Sequence, residues 1–387
     1  MKKNGTNSVD MRQLNQKLLL NILRQENISR AEAARRTGLS KAAIGIIVDD
    51  LIEEGILCET VTESISIGRK PVLLMIRPES RFAIGVSITR KKSEIGVMNI
   101  QGELIYNEEI EISKEGDAIE DIDRISERLK EIVEELGIEE NKILGVGIAA
   151  PGPLNVDEGS LLEPLHMEKW FHVNMVKLMQ SRVPWVCYLE NTTVARAILE
   201  KNYGVAKKLN DFVVYKIEDV IGAGIIINNA IHRGVSGNGG EWGHVSIDFQ
   251  GRRCECGRRG CLEKYASISA ILEEFGQFGY TSWKDIVDDA YKGNEKALSV
   301  IQSEAMYLSA AIVNVANCLL PRAFILCGEI NYRSQLLLAL IQEQIDSTWM
   351  MRKIQKIAVM AGSVSEYANL KGAATIVIEH FFQEGEI

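Results

Sequence analysis

The sequence predicts a small helical domain followed by a larger α/β domain that is built from two similar halves. Three observations lead to this prediction. Apolar residues recur at helical spacing in the first 55 residues, and two segments of alternating hydrophobicity follow them. From residue 81 onward, a pattern of three strands, a helix and a buried strand begins, and it recurs in the second half of the chain. A chain of 387 residues is long enough for two or three domains of ordinary size.

Three helices are predicted in the small domain. The first covers residues 11–26, where leucines and isoleucines recur at steps of three and four residues. Short polar residues and glycines then mark where the other two helices begin and end. These residues are Ser29 and Glu32, which have the spacing of a capping box, Gly38 as a stop, Ser40 as the cap of the third helix and Gly55 as its end.

Two segments with alternating apolar residues complete the small domain. Residues 56–63 and 71–76 are predicted strands, joined by a loop at residues 64–70. With the three helices they predict an N-terminal all-α winged helix-turn-helix domain at residues 1–77, to which a plain helical hairpin is the alternative. In a winged helix-turn-helix, the start of the recognition helix lies in the major groove of DNA and needs small or polar side chains there.

Predicted DNA contacts follow from this geometry. Carboxylates in the second half of the third helix would repel phosphates, so only its first turns can face DNA. Gly45 costs about 1 kcal/mol relative to alanine inside a helix, which favours a close approach of the backbone to DNA. The predicted DNA-binding residues are Arg30, Ser40, Lys41, Ala42, Gly45, Arg69 and Lys70. Further phosphate contacts are expected from Lys17, Arg24, Arg35 and Arg36.

The larger domain begins with three alternating segments near residues 83–112, a helix at about 117–136 and the buried strand 143–150. Strands at about 212–229, helices from about 266 and the strand in AFILCGEI repeat this pattern. Two such halves form the actin-like, ribonuclease-H-like α/β fold, which has two lobes and a cleft that binds small molecules. We expect this domain to span residues 78–387, with a split near residue 192 and a C-terminal helix that returns to the first lobe.

Charge and hydropathy exclude several classes of protein. The net charge of −9 argues against a general nucleic-acid binder, although residues 1–72 carry eleven Lys/Arg and nine Asp/Glu, a balance of +2 that leaves −11 for the rest. No apolar run reaches the roughly 18 residues that span a bilayer. The N-terminal segment has no apolar core after its lysines, so we expect a soluble, cytoplasmic protein with reduced thiols.

A histidine and three cysteines form a predicted zinc site. His244 lies ten residues before a C-x-C-x4-C run that contains Cys254, Cys256 and Cys261. One imidazole and three thiolates are a tetrahedral zinc set, and four protein ligands leave no open position for catalysis. The sequence therefore predicts one structural Zn²⁺ per chain. The alternative is an eroded site that holds no metal.

The segment GEWGHVSIDFQGRRCECGRRGCLE resembles the signature of the ROK family (repressors, open reading frames, sugar kinases). The N-terminal module, with GRKP on its wing, resembles that of the repressor branch, so the resemblance covers nearly the whole chain. It implies assembly as a homodimer or tetramer. It also implies that sugar hydroxyls are held by Asn191, Glu241, His244 and Glu263.

The same resemblance argues against an active kinase. Thr192 stands where ROK kinases carry their catalytic aspartate, and a threonine hydroxyl cannot act as a base near pH 7. The phosphate loop of the form DxGGT appears at residues 87–91 without its aspartate, glycines or threonine. Gly222, Gly224 and Gly328 remain from two other glycine turns, for which tight turns between strands are the alternative explanation.

These features predict a sequence-specific DNA-binding transcriptional regulator without kinase activity. It would repress sugar-utilisation genes until a sugar of the xylose, glucose or amino-sugar type binds in the degenerate kinase cleft. Its expected partners are operator DNA and that sugar, with no membrane. Two alternatives remain: a bifunctional sugar kinase that also binds DNA, and a repressor that is controlled by docking a protein partner.

Overall fold

The computed structural model describes residues 8–61, 72–89, 93–112, 117–364 and 366–383. Three helices that contact one another begin the described chain, and two antiparallel strands follow: α1 (Ser8–Leu23), α2 (Arg30–Thr37), α3 (Lys41–Glu53), β1 (Leu57–Val61) and β2 (Val72–Ile76). The Ser29 hydroxyl accepts a hydrogen bond from the backbone N–H of Glu32 at 3.2 Å. Gly38 ends α2 with a φ of 72°. The predicted roles of Ser29 as a cap and Gly38 as a stop are confirmed, whereas the predicted loop at 64–70 lies outside the described residues.

The first half of the α/β region forms a five-stranded sheet. Its strands lie in the order β5-β4-β3-β6-β9, with β3 antiparallel to β4 and parallel to β6. The elements of this part of the chain are β3 (Phe82–Ile88), β4 (Ser93–Asn99), β5 (Leu104–Ile110), α4 (Ala118–Glu135), β6 (Ile143–Ala150), β7 (Leu154–Asn155), β8 (Ser160–Leu161), α5 (Met175–Gln180), β9 (Cys187–Asn191) and α6 (Thr192–Tyr203).

A second five-stranded sheet repeats this topology. Its order is β12-β11-β10-β13-β14, in which β10 is antiparallel to β11 and parallel to β13. The predicted duplication is therefore confirmed strand by strand. The elements are β10 (Phe212–Ile217), β11 (Ile221–Ile227), β12 (Ala230–Ile231), α7 (Glu263–Ala266), α8 (Ile268–Phe275), α9 (Trp283–Tyr291), α10 (Glu295–Leu319), β13 (Ala323–Cys327), α11 (Gln335–Thr348), β14 (Ala358–Ala361) and α12 (Ala368–Gln383).

The described residues divide into two compact units. The first lies within Met1–Ala150, His166–Leu189 and Ala373–Ile387, and the second within Pro151–Leu165 and Glu190–Gly372. The N-terminal helices and the first sheet, except the last two residues of β9, belong to the first unit. The second sheet belongs to the second unit, and α12 begins in the second unit and ends in the first.

Both faces of the second sheet are covered, as expected for strands that are apolar throughout. Side chains of β10 alternate between two apolar clusters, one shared with α6 and one shared with helices that include α10. By length and composition α10 could cross a membrane, but half of its most apolar stretch is buried inside the protein. This burial is typical of a core helix.

One predicted phosphate contact is wrong. The side chain of Arg24 is only 8% exposed, and its guanidinium donates to the Glu379 carboxylate at 2.9 Å. The same guanidinium lies 4.4 Å from the ring centre of Phe382. Because α1 packs against α12 in the first unit, this arginine binds protein and is turned away from the surface.

Glu304 on α10 is a buried acid whose removal should stabilise the protein. It is 1% exposed, and neither carboxylate oxygen has a hydrogen-bond partner among the described groups. Burial raises the pKa of this carboxyl well above its usual value of 4.5. The free energy of unfolding is therefore unaffected by this shift below pH 4.5 and falls as the pH rises above it, because the unfolded chain releases the proton that the folded chain retains.

We expect Glu304→Met to increase the free energy of unfolding by about 1–3 kcal/mol at neutral pH, since a polar group without a partner costs that much to bury. Urea denaturation at pH 5 and pH 8 measures this gain, which should be larger at pH 8. Glu343→Met, at an exposed position of α11, is the control and should change little. A lower urea midpoint for Glu304→Met at both pH values would contradict the interpretation.

Candidate metal centre and ligand-binding site

The predicted metal ligands lie together in the second unit. The ligand atoms of His244, Cys254, Cys256 and Cys261 all lie within 4.8 Å of one another. The Cys254 sulfur is 3.5 Å from Nδ1 of His244, and the sulfurs of Cys256 and Cys261 are 3.6 Å apart. Zinc–sulfur bonds of about 2.3 Å in a tetrahedron separate two sulfurs by about 3.8 Å. The four side chains therefore fit one tetrahedral metal ion, and their soft donors favour zinc.

Backbone turns bring these four ligands together. The N–H of Gly257 donates to the carbonyl of Cys254 at 3.0 Å, closing a tight turn over C-x-C-G. Gly260, with a φ of 70°, lies so close to Asp248 that a Cβ would be 1.6 Å from the Asp248 carbonyl oxygen. Glycine is thus required at Gly260 both for its dihedral angle and for space, and this contact holds Cys261 beside the His244 segment.

The predicted sugar-binding residues Glu241, His244 and Glu263 converge at the start of β11. A Cβ at Gly243 would lie 2.2 Å from the carbonyl oxygen of Ile221, so the GEWGH segment approaches this strand as closely as glycine allows. One oxygen of Glu263 accepts a hydrogen bond from the N–H of Ile221 at 2.9 Å. Among the described residues, no hydrogen bond is formed to the other carboxylate oxygen of Glu263.

Asn191 is at the same place, across the turn that contains Gly152. A Cβ at Gly152 would lie 3.1 Å from the Asn191 amide nitrogen and 3.4 Å from a Glu241 oxygen. The Asn191 side-chain oxygen caps α6, accepting from the N–H of Thr193 at 2.8 Å and from its hydroxyl at 2.7 Å. This capping directs the amide N–H₂ group of Asn191 toward the turn, where it can donate to a hydroxyl group.

The electrostatics of Glu241 suit hydroxyl recognition. Burial raises the pKa of its carboxyl, the Glu263 carboxylate raises it further and His244 opposes the increase. Its side chain remains accessible to solvent, as expected for a group that lies in a recess. A carboxylate in that position gains from accepting hydrogen bonds from a ligand, because neighbouring protein has replaced part of its hydration.

Sequence reasoning missed the ion pair that supports Asn191. Glu190 is 1% exposed, and its carboxylate accepts from Arg233 at 2.7 Å and from the N–H of Asn191 at 2.9 Å. Arg233 lies between β12 and the glycine-rich segment GNGGEWGH, which contains Glu241. This pair therefore links the end of β9 to the loop that precedes Glu241. The signal in the sequence that could have predicted this pair is the acidic residue Glu190 at the end of an apolar strand.

Four of the residues that the resemblance assigns to phosphate loops lie in strands. Ser87 and Ile88 are the last residues of β3, and Arg90 and Lys91 lie outside the described residues. Gly222 and Gly224 lie within β11, where a Cβ would approach Thr193 atoms to 2.5 and 2.4 Å. They are therefore required by packing of α6 on the strand, and are neither a loop nor a turn. Thr192 is the first residue of α6, and its side chain is buried.

The described DNA-contact candidates lie at the start of α3 and on α2. Ser40 caps α3 by accepting from the N–H of Ala43 at 3.1 Å, and Lys41 and Ala42 are exposed. Arg30 is paired with Asp49 and with Glu59, each at 2.7 Å. These pairs reduce the repulsion that Asp49 would exert on a phosphate. Arg69 and Lys70 lie outside the described residues.

Comparison with known proteins identifies relatives that span nearly the whole chain. The xylose repressor of Bacillus spizizenii is 30% identical over 96% of this chain and 96% of its own length. The DNA-binding transcriptional dual regulator NagC of Escherichia coli is 25% identical over 88% of this chain and 86% of its own. Both alignments cover more of this chain than residues 78–387 alone could supply, so each includes part of the N-terminal module.

A solved structure supports the same relationship. A ROK family transcriptional regulator, described as a homologue of the E. coli MLC protein, superposes with a TM-score of 0.81 at 27% identity and covers 96% of this chain and 97% of that one. The predicted actin-like two-lobed α/β fold with an N-terminal helical region is thereby confirmed. The model of the ROK family matches residues 83–380, which is well over half of the chain, and the protein therefore belongs to the ROK family.

Proposed function

We propose that this protein is a cytoplasmic, sugar-responsive transcriptional repressor that releases its operator DNA when a sugar binds. The observation that carries the proposal is that the xylose repressor relative aligns over 96% of the chain, a share too large to leave out the N-terminal module. A kinase-like sugar domain with a DNA-binding module attached is the arrangement that such regulation needs. The proposed boundaries are residues 1–77 for the winged helix-turn-helix domain and 78–387 for the ROK-type domain.

DNA recognition is assigned to α3, the second helix of the helix-turn-helix. Its N-terminal end is exposed and carries the small or polar residues Ser40, Lys41 and Ala42, which suit the major groove. Arg30, Gly45, Arg69 and Lys70 complete the proposed contact set. We infer a homodimer or a higher assembly of dimers, because two helix-turn-helix modules read the two half-sites of a palindrome.

Sugar recognition is assigned to Asn191, Glu241, His244 and Glu263. An amide, two carboxylates and an imidazole around the Gly152 turn can bind several vicinal hydroxyls at once. The proposed zinc, held by His244, Cys254, Cys256 and Cys261, supplies a structural constraint: it would fix the ring of His244 through Nδ1 and leave Nε2 for the sugar. Pentoses of the xylose type and amino sugars are the ligand classes that the names of the xylose repressors and N-acetylglucosamine repressors suggest, and glucose completes the proposed set.

We infer that the chain does not transfer phosphate. Thr192 at the start of α6 offers a buried hydroxyl where a kinase needs a carboxylate base, and the segment at 87–91 lacks the glycines that cradle phosphates. The sugar site then works as a sensor. It can change DNA affinity only through a difference in sugar affinity between the DNA-bound and released arrangements.

A ligand panel tests this function. The full chain is mixed with xylose, glucose, amino sugars and their 6-phosphates, with and without Mg-ATP, and both melting temperature and affinity for a selected operator are measured. We expect one sugar class to raise the melting temperature without an ATP effect and to weaken operator binding by about 5–150-fold. Sugar-dependent ATP turnover would instead establish the kinase, and no response to any sugar would favour control by a protein partner.

Two substitutions locate the sugar site. Glu241→Gln and Glu263→Gln should each weaken the sugar by about tenfold or more, because a charge-assisted hydrogen bond is lost, while operator binding without sugar stays unchanged. Glu273→Gln, at an exposed position of α8 in the same unit, removes an equal charge and is the matched control. If the control and the two site variants responded alike to sugar, the site would have to be placed elsewhere.

A further inference from the structure

The outward face of α3 is apolar from Ala42 to Ile46. Ile46 is 61% exposed, whereas Ile44, Ile47, Val48 and Leu51 on the same helix are at most 4% exposed. Ala42, Gly45 and Ile46 share one face, because residues three and four apart are neighbours on a helix. None of these three side chains can form a hydrogen bond.

The fold of the N-terminal module does not account for this face. A Cβ at Gly45 would meet nothing within 4 Å in the part of the chain that the structure describes, so no described neighbour requires glycine there, although glycine costs the helix stability. Likewise, Ile46 places most of a large apolar side chain in water without contributing to the core. Gly45 and Ile46 are each unfavourable for the stability of the free protein, and they lie side by side at the centre of the face assigned to DNA. This placement favours a role in binding a ligand.

Polar residues border the face on both sides. Lys41 precedes it, and one turn later Asp49 is neutralised by Arg30 at 2.7 Å. Asp50 is paired with Arg12. The border can therefore approach phosphates, while the centre presents only methyl and methylene groups and exposed backbone.

The base edges in the major groove offer one apolar group, the C5 methyl of thymine. Guanine, adenine and cytosine present acceptors or donors there, and these would lose their water to an isoleucine and gain no hydrogen bond in return. We propose that Ile46 is a specificity-determining residue that contacts a thymine methyl group in each half-site, and that Gly45 lets the helix backbone approach closely enough for this contact. This inference rests on the proposed DNA-binding function.

The test begins with selection of an operator from random duplexes by the full-length chain. Each thymine of the selected half-site is then replaced in turn by deoxyuridine, which lacks only the methyl group. At one position per half-site we expect the wild-type affinity to fall about fourfold, the effect of losing one buried methyl group. Ile46→Ala should bind the thymine duplex more weakly by a similar or larger factor and should not distinguish thymine from deoxyuridine at that position.

Leu18→Ala is the matched control, since Leu18 is also an exposed apolar residue, 42% exposed, in the same module but on α1. It should keep the full response to deoxyuridine. An equal deoxyuridine effect in wild type and Ile46→Ala, with operator selection successful, would overturn this inference and leave the proposed function standing. Failure of the wild-type chain to enrich any duplex would overturn the proposed function and the inference together.

Discussion

Cys261→Ser is expected to abolish stoichiometric metal binding and the response to sugar, while binding to operator DNA survives. Cys261 is fully buried, and its sulfur lies 3.6 Å from that of Cys256. A serine hydroxyl is a poor zinc ligand, so the loss of affinity should exceed the roughly 10–100-fold that loss of a supporting group costs. Elemental analysis of purified protein should find about one zinc per wild-type chain and a small fraction of that in the variant.

The sugar response should fail for a structural reason. Cys261 lies two residues before Glu263, and its backbone pairs with that of Ser246, on the segment that carries His244, in an isolated antiparallel β-bridge. Without the metal, both proposed sugar-binding side chains lose the loop that holds them. The DNA-binding module belongs to a different unit of the chain, so its affinity for operator without sugar should remain within about twofold, well below the effect of any lost phosphate contact.

Cys318→Ser is the control for this experiment, because Cys318 is an exposed cysteine on α10 of the same unit and is not part of the cluster. It should retain zinc and sugar response. Removal of the metal from wild-type protein with a chelator should reproduce the Cys261→Ser behaviour, and addition of Zn²⁺ should reverse it. A Cys261→Ser protein that keeps one tightly bound zinc would exclude the proposed four-ligand centre.

Much of the fold could be predicted because its signals are local. Ser29, Gly38 and Ser40 act on backbone groups within four residues of themselves, so their roles could be inferred from spacing alone. The capping box was only half right: Ser29 caps α2 as predicted, but the Glu32 carboxylate binds Arg35 and Arg36 instead. Two arginines one turn away compete successfully for the carboxylate, and their charge outweighs a single backbone N–H.

The misinterpreted residues depend on partners that are distant in sequence. Gly222 and Gly224 looked like part of a phosphate loop, yet the contacts that require glycine come from α6, about 30 residues earlier. Ile46 could not be singled out because residues 42–48 of α3 are all apolar or glycine, and only the packed structure shows which isoleucine stays exposed. Arg24 appeared as one of several cations on basic helices, and its partner Glu379 is 355 residues away.

The helix α12 contacts both the N-terminal module and β9. In the first unit, Arg24, the residue that follows α1, binds Glu379 and lies over the ring of Phe382, and the Asn21 amide of α1 donates to the Phe382 carbonyl at 3.1 Å. The neighbouring residue His380 stacks on Tyr188, with ring centres 4.0 Å apart. Tyr188 belongs to β9, whose last residue is Asn191. One helix thus joins the proposed DNA-binding module to the strand that carries a proposed sugar-binding residue.

Glu379→Ala should therefore destabilise the protein and reduce the effect of sugar on DNA affinity. Removing the carboxylate leaves the buried Arg24 guanidinium without this partner, which typically costs about 3–5 kcal/mol. Urea denaturation measures the loss, and Glu139→Ala, which breaks the exposed pair with Lys142, should cost less than about 1 kcal/mol.

The double variant Arg24→Met with Glu379→Leu should recover most of the stability, because apolar residues of similar volume replace a buried pair at little cost. If α12 transmits the sugar signal through the charged pair itself, this stable double variant will still release operator poorly in the presence of sugar. Full release by the double variant would mean that apolar packing of α1 on α12 is sufficient for the response.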